Sequence, residues 1–357
     1  VVTRYEHVSG LIRDPRMSAV PSPTRPGTGL SFLNMDPPGH DRLRRMTNRH
    51  FGPPNDPGRV EAMTPTLEVM VKELIDQFSN RSEIDITRGI SYPLPVNVIT
   101  ELLGVPREDE PKFHAWAEAI VQATDQDTRR PGQRTKGAED AFQQLGAYMF
   151  SLIMARKGAP RDDMLSRIVN DDGPEGVMAP QEMISVAILL FLAGHETTVN
   201  LISNGMLTML RHPHLLERLK NEPEIAPSFV EEVLRYEPPV HVTFRTALCD
   251  VKVDDFVIPE GASVQLVLAA ANRDPRRFSD PDTFDPVRQN NQHLGFGTGI
   301  HACFGAPLAR LEGQIALREL ARRLINPRLI QDPPPYRINP SLRGPREVLV
   351  RIDGVAD

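Results

Sequence analysis

GFGTGIHACFG (residues 295–305) places four glycines among eleven positions, around one of only two cysteines in a chain of 357 residues. Glycine loses more backbone freedom on folding than any other residue. Such density is kept where the chain needs positive φ or must lie close against another surface. Directly after it, APLARLEGQIALREL repeats apolar residues at three and four positions, which predicts a helix over roughly 306–324. The loop therefore sets Cys303 at the start of a helix, next to His301 and Phe304 and seven residues after Phe296. What it lies against decides the fold.

Upstream, the same periodicity predicts helices over 40–51, 64–78, 92–103, 107–124, 138–157, 179–212 and 226–236, with Pro and Gly at their joins. After Pro239 the texture changes. HVTFRTAL, VKVDDFVI and ASVQLVLAA alternate β-branched residues and are broken by turn signals, and REVLVRI (346–352) reads as a closing strand. The fold class is mainly α with a smaller β portion, in one domain over 1–357. The polar run 124–137 is a surface loop and a candidate lid. The 179–212 helix would run about 50 Å at the standard rise. Its first half is nearly all apolar, yet Gly194, His195, Glu196, Thr197 and Thr198 sit in its middle. A buried acid and two alcohols there need partners or a task.

Composition sets the bounds. With 40% hydrophobic and 25% charged residues, the chain has the make-up of a globular protein. A net charge of −6 leaves no global nucleic-acid footprint, and no window approaches the ~18 uninterrupted apolar residues of a membrane span. Cys249 and Cys303 cannot form a disulfide framework, so a reducing cytoplasm is the default location. Cys249 reads as a structural residue beside a turn. VVTRYEHVSG has no initiator Met and reads as beginning in mid-fold.

Several roles compete for Cys303. A phosphate loop fails, because no Lys-Ser/Thr follows the glycines and the G-x-G-x-x-G spacing is absent. A zinc site using His301 and His293 lacks a C-x-x-C pair. A catalytic thiol is disfavoured by Phe and Gly neighbours, which raise rather than lower its pKa. A small buried hydrophobe in a turn remains open. So does a thiolate on haem iron, for which the helix N-terminus after Cys303 supplies a positive end.

The run Phe296-Gly-Thr-Gly-Ile-His301-Ala-Cys303-Phe-Gly305 resembles the haem-ligand signature of the cytochrome P-450 superfamily in its soluble bacterial form. Glu232-Val-Leu-Arg235 resembles the family's E-x-x-R pair. Phe284-Asp-Pro-Val-Arg288 is similar to the segment whose arginine completes that ionic cluster. AGHETT (193–198) resembles the oxygen-activation segment of the family's long central helix. The resemblance runs through essentially the whole chain. It begins with VVTRYEHVSGLIRDPRMS, like an early strand and helix, and implies a first helix and strand upstream of Val1. It also implies a P-450 fold in which the long helix crosses over the haem and the cysteine loop precedes a late helix. Cys303 is then the iron ligand, and His40, Arg44, Arg245 and His301 are propionate contacts, with Phe296 in the haem loop. Thr197 becomes the oxygen-side hydroxyl and Glu196 the point where protons enter, while Gly194 permits a local opening of the helix. His195 is a packing or solvent residue, and Thr198 bonds back to the helix.

The activity implied is that of a monooxygenase using haem b, dioxygen and electrons from NAD(P)H through ferredoxin reductase and ferredoxin. Its substrate would be a mainly hydrophobic small molecule, hydroxylated or epoxidised in natural-product (antibiotic) biosynthesis. Oxidative coupling, desaturation or a haem-binding sensor are the alternatives. Leu190, Ala193, Val240, Val242 and Pro345 are candidate pocket residues. The 19–32 segment is shorter than the family's substrate-covering loop. Across the 40–50 helix, Arg42, Arg45 and Arg49 lie opposite His40 and Arg44. They are predicted to face solvent and dock an acidic electron carrier.

Overall fold

The computed structural model describes residues 1–21, 32–51, 58–126, 136–339 and 341–357, with side chains of 121–126 excluded. Apolar periodicity becomes helix nearly where it is predicted. The succession begins with α1 (Tyr5–Arg13), α2 (Gly39–Asn48), α3 (Gly58–Glu61), α4 (Thr64–Asp76), α5 (Pro93–Leu103), α6 (Glu110–Gln126) and α7 (Lys136–Gly158). It continues with α8 (Met164–Val169), α9 (Pro180–Arg211), α10 (Pro213–Asn221), α11 (Ala226–Tyr236), α12 (Leu268–Ala271) and α13 (Ala306–Arg323). Four of these, α3, α8, α10 and α12, are absent from the sequence reading, and α12 begins within the segment ASVQLVLAA read as strand. All are short, and α8 is set by a capping contact, the Asp163 carboxylate accepting from the Ser166 N–H at 2.6 Å.

The strands are short. β1 (Met17–Ser18), β3 (Val242–Ala247) and β6 (Ser263–Val267) form one antiparallel sheet, and β4 (Val251–Val253) and β5 (Phe256–Ile258) form a hairpin. β2 (Glu83–Asp85) and β8 (Arg328–Leu329) flank β9 (Leu349–Arg351), the shortened form of the strand predicted over 346–352. β7 (Leu324–Ile325) pairs with β10 (Gly354–Val355). Val2 bridges to Leu266 beside α1, giving the early strand-and-helix order that the resemblance implies. The predicted lid falls mostly on 127–135, and the 19–32 loop mostly on 22–31. Both stretches lie outside the described residues.

α9 organises the interior. It packs on α5, α7, α10 and α13, and its residues are buried almost all round from Val186 to Phe191 and from Val199 to Met209. A helix apolar on every side is stable only inside protein or lipid. This one is long and apolar enough to cross a membrane, but 67% of its apolar window is covered by protein. It is the core helix. Its N-terminus carries Pro180 in the first turn, and the Glu182 carboxylate reaches back to the Ala179 N–H at 2.8 Å.

Candidate functional site

The cysteine loop is held from behind by two ionic clusters on α11. The Glu232 carboxylate accepts from Arg235 at 2.8 and 2.7 Å, from Arg288 at 3.1 Å, from the Asp285 N–H at 2.9 Å and from Asn291 at 3.1 Å. The Glu232 and Arg235 side chains are both 0% exposed. Arg235 spends its remaining donors on the carbonyls of Asn272, Pro281 and Thr283. Every charge in the cluster is therefore paired, which a buried charge requires. Asn272 extends the network forward by accepting from the Leu294 N–H at 2.7 Å, at the threshold of the loop. Glu232, Arg235 and Arg288 are thus brought together as the motifs imply.

The second cluster was not legible as a motif. Glu231 binds Arg310 of α13 at 2.6 and 2.9 Å and His293 at 3.1 Å, and the other nitrogen of His293 accepts from the Gly295 N–H at 3.0 Å. Burial raises the Glu231 carboxyl, but bonds from His293 and Arg310 outweigh it and bring the pKa down to about 2. The Arg310 guanidinium also lies over the Phe296 ring, 4.7 Å from its centre. The only sequence signal was the doubled acid in EEVLR, whose members project about 100° apart.

Within the loop, Gly297 and Gly299 adopt φ of +66° and +71°, where a side chain would be strained. The Cys303 N–H donates to the Phe296 carbonyl at 2.8 Å. The cysteine itself is exposed, although it sits at the head of α13 on the core helix. Although the residue keeps open surface, the protein packed around its sulfur raises the pKa; the N–H groups of Gly305 and Ala306 and the charges of Arg44 and Arg310 act in the opposite direction. A metal ion on the sulfur removes the proton outright.

The four propionate candidates converge beside it. His40 and His301 rings lie 4.2 Å apart, and Arg44 donates to the Ala302 carbonyl at 2.6 Å. His40 is buried, with Nδ1 on Asp41 at 2.7 Å and Nε2 without a protein partner among the described residues. Arg245 is likewise buried, and its Nε has no partner among the described residues. Burial lowers the pKa of Arg44 and Arg245, and brings His301 down to about 4 with help from nearby His40, Arg245 and Arg44. Buried nitrogens without a partner among the described residues, around a cysteine with open surface, fit a planar iron macrocycle carrying carboxylate arms.

α9 carries the other half of the site. Ala193 is exposed and Gly194 and Thr197 are half-buried in the middle of an otherwise buried helix. Ala193 and Thr197 are one turn apart, so this open face is a single strip. The helix is continuous through Gly194, and the expected local opening is not present. Thr197, rather than Thr198, is seen bonding back, its hydroxyl donating to the Ala193 carbonyl at 2.7 Å. Glu196 projects elsewhere and pairs with Arg337 at 3.1 Å, both nearly buried. His195 is a packing residue, 4.7 Å from the Tyr92 ring and kept neutral by burial, which brings its pKa to about 3. Of the pocket candidates, Ala193, Val240 and Val242 retain open surface, whereas Leu190 and Pro345 are buried in packing.

One expectation fails. Arg42, Arg45 and Arg49 do not form a free basic face. Arg42 binds Glu182 at 2.8 Å, Arg45 binds Glu175 at 3.1 Å, and Arg49 binds Asp171 at 2.7 Å and also Glu175. The acidic run before α9, DDGPEG, folds onto this side of α2 and neutralises it. A helix-face argument misses acids supplied from 130 positions away in the chain, as in the Arg45–Glu175 pair.

Comparison with known proteins agrees with this geometry. The sequence profile described as Cytochrome P450 matches residues 7–325. The chain is 38% identical to the cytochrome P450 monooxygenase PikC of Streptomyces venezuelae over 98% of this chain and 84% of that protein. It is 35% identical to the 6-deoxyerythronolide B hydroxylase of Saccharopolyspora erythraea, over 99% of this chain and 90% of that protein. Among solved structures it resembles P450BioI in complex with an acyl carrier protein ligated to hexadec-9Z-enoic acid. That likeness has a TM-score of 0.88 and 35% identity over 99% of this chain and 91% of the other.

Proposed function

The chain belongs to the cytochrome P450 family and is an oxidoreductase of the monooxygenase class, and on that premise we propose that Cys303 holds haem b for the hydroxylation or epoxidation of a mainly hydrophobic small molecule. Haem iron and electrons from a redox partner come with the family. The observation that carries the reading is Cys303, with open surface, on a loop fixed by two ionic clusters, beside buried nitrogens of His40 and Arg245 that have no partner among the described residues. His40, Arg44, Arg245 and His301 would bind the propionates, with Phe296 supporting the loop. Bound haem supplies dioxygen binding and O–O cleavage, which a thiolate ligand favours.

The protein's own groups supply the protons. The Thr197 hydroxyl stands on the open strip of α9 and can exchange its bond to the Ala193 carbonyl for one to water. Glu196, one residue earlier, takes a proton from the other side of the helix and passes it on. Such positioned acid work is worth on the order of 10²–10⁴-fold. Ala193, Val240 and Val242 would touch substrate, with Leu190 and Pro345 supporting them from behind.

Names of relatives favour natural-product chemistry, since one of them is a 6-deoxyerythronolide B hydroxylase and another a mycinamicin IV hydroxylase/epoxidase. Electrons come from NAD(P)H through ferredoxin reductase and ferredoxin, in the cytoplasm. The test is a screen of macrolides, terpenes and aromatic products for substrate-induced shifts of the haem spectrum, followed by turnover under labelled dioxygen. Label in the product supports monooxygenation; product formed without label favours coupling or desaturation.

A further inference from the structure

From Glu196 into the C-terminal half of α9 runs a polar stripe whose later members the site described above does not use. Glu196, Asn200, Asn204 and Thr208 follow at four-residue steps and so share one face, and all four are buried. Four polar side chains in a row through an apolar core are costly unless they serve one another or water. Against this face lie residues 335–339 and 341–346, the two arms of a hairpin. It is closed by Arg346 N–H to the Pro335 carbonyl at 2.7 Å, by the Tyr336–Pro345 bridge and by Arg337 N–H to the Gly344 carbonyl at 3.3 Å.

The first three members of the stripe each meet the hairpin in their own way, while the Thr208 hydroxyl donates to the Asn204 carbonyl at 2.8 Å. Glu196 pairs with Arg337 at 3.1 Å, and Asn204 donates to the carbonyls of Glu237 and Arg343 at 3.0 and 3.1 Å. Asn200 lies against Gly344, where a Cβ would come within 1.9 Å of its oxygen. It is 0% exposed, yet neither its amide nitrogen nor its oxygen has a partner among the described residues. A fully buried amide in that position calls for water. Beyond Asn204 the seam opens into a cavity of about 60 Å³ lined by Asn204, Thr208, Arg211, Tyr236, Glu237 and Tyr336. That is polar room for a few water molecules.

We propose that the seam between α9 and these two arms is the proton-uptake route, running from the cavity at Glu237 past Asn204 and Asn200 to Glu196. It rests on the reading that Glu196 and Thr197 deliver protons. A proton entering the cavity water moves along hydrogen-bonded water to the Glu196 carboxylate, and only O–H bonds form and break. Asn200 transfers nothing itself. Its Nδ2 donates to, and its Oδ1 accepts from, the water on either side, which makes it a positioning residue. Arg337 holds the receiving carboxylate in place. Arg273, Arg343 and Arg211 face the half-buried Glu237 at the mouth; burial raises its carboxyl pKa, and these charges act in the opposite direction.

The experiment uses haem-loaded protein, with electrons supplied photochemically by a deazaflavin. Dioxygen consumption is followed in H₂O and D₂O for the parent, Asn200→Leu, Thr208→Val and Glu196→Gln, beside crystal structures of the parent and Asn200→Leu. Asn200→Leu should consume dioxygen about tenfold more slowly with a larger solvent isotope effect, within the range for one positioned proton-transfer element. Thr208→Val, near-isosteric and at the cavity end, should show the same change to a smaller extent. The parent crystal should carry water on both amide atoms of Asn200, and the variant none. A parent-like rate and isotope effect in both Asn200→Leu and Thr208→Val, or an Asn200 without water in the parent crystal, overturns the route. If Glu196→Gln alone is slowed, the route fails and the relay stands. If Glu196→Gln is also unchanged, the relay reading itself fails.

Discussion

On the function proposed above, the cysteine loop and the middle of α9 would serve one cofactor with opposite designs. Behind Cys303, the Glu232 carboxylate and the Arg235 guanidinium are saturated, and Glu231 binds His293 and Arg310 as well. On α9, the Thr197 hydroxyl is satisfied only by its own helix, and Asn200 has no protein partner among the described residues. A ligand loop has to hold one geometry through every turnover, so over-determination suits it. Groups that pass protons have to exchange partners, so a full set of fixed bonds would disable them. In the proposed function, the saturated side is the frame and the incompletely paired side carries the relay.

The largest effect should come from breaking the frame. Glu232→Ala strands Arg235 and Arg288 without a counter-charge, at a cost of about 3–5 kcal/mol. Urea denaturation should show that loss together with poor haem retention. A stable, haem-loaded Glu232→Ala protein would mean that the cluster is not what holds the loop. Thr197→Ala, on the working side, should leave stability and haem loading intact. Once a substrate is in hand, product per electron pair should drop by on the order of 10²-fold, and a fully coupled variant would remove Thr197 from the relay.

A third test separates the two clusters by pH. The Glu231 pKa lies at about 2, below its ordinary 4.5, so the folded protein binds that proton less tightly than the unfolded chain. Its stabilisation is therefore complete above about pH 4.5 and is lost as pH falls through about 2. Glu231→Gln should lower stability at neutral pH and flatten the acid limb of the stability curve between those values, as read by thermal melts across pH. The smallest effect belongs to the neutralised face of α2. Arg45→Ala should cost at most ~1 kcal/mol and leave the rate of electron transfer unchanged, because Glu175 already offsets its charge.

Local patterns carried most of this into view. The helices, the Cys303 loop and the Glu232–Arg235–Arg288 set follow from periodicity and from motifs resembling one family. What stayed hidden depends on contacts between distant segments. Arg337 reaches Glu196 from a hairpin with little regular structure, and Asp171 and Glu175 reach α2 from the run before α9. Glu231 was legible only as a second acid beside Glu232. The four-residue row from Glu196 to Thr208 was written in the sequence, but its meaning required seeing the hairpin that covers it.

The central claim is that Cys303 is the iron's thiolate ligand. The most direct measurement is the absorption spectrum of the reduced, carbon monoxide-bound protein, beside that of Cys303→Ser. The account predicts the red-shifted Soret band of a thiolate-ligated haem in the parent and its absence in the variant. A freshly prepared, fully haem-loaded parent without that band, or a Cys303→Ser protein that keeps it, would contradict the assignment.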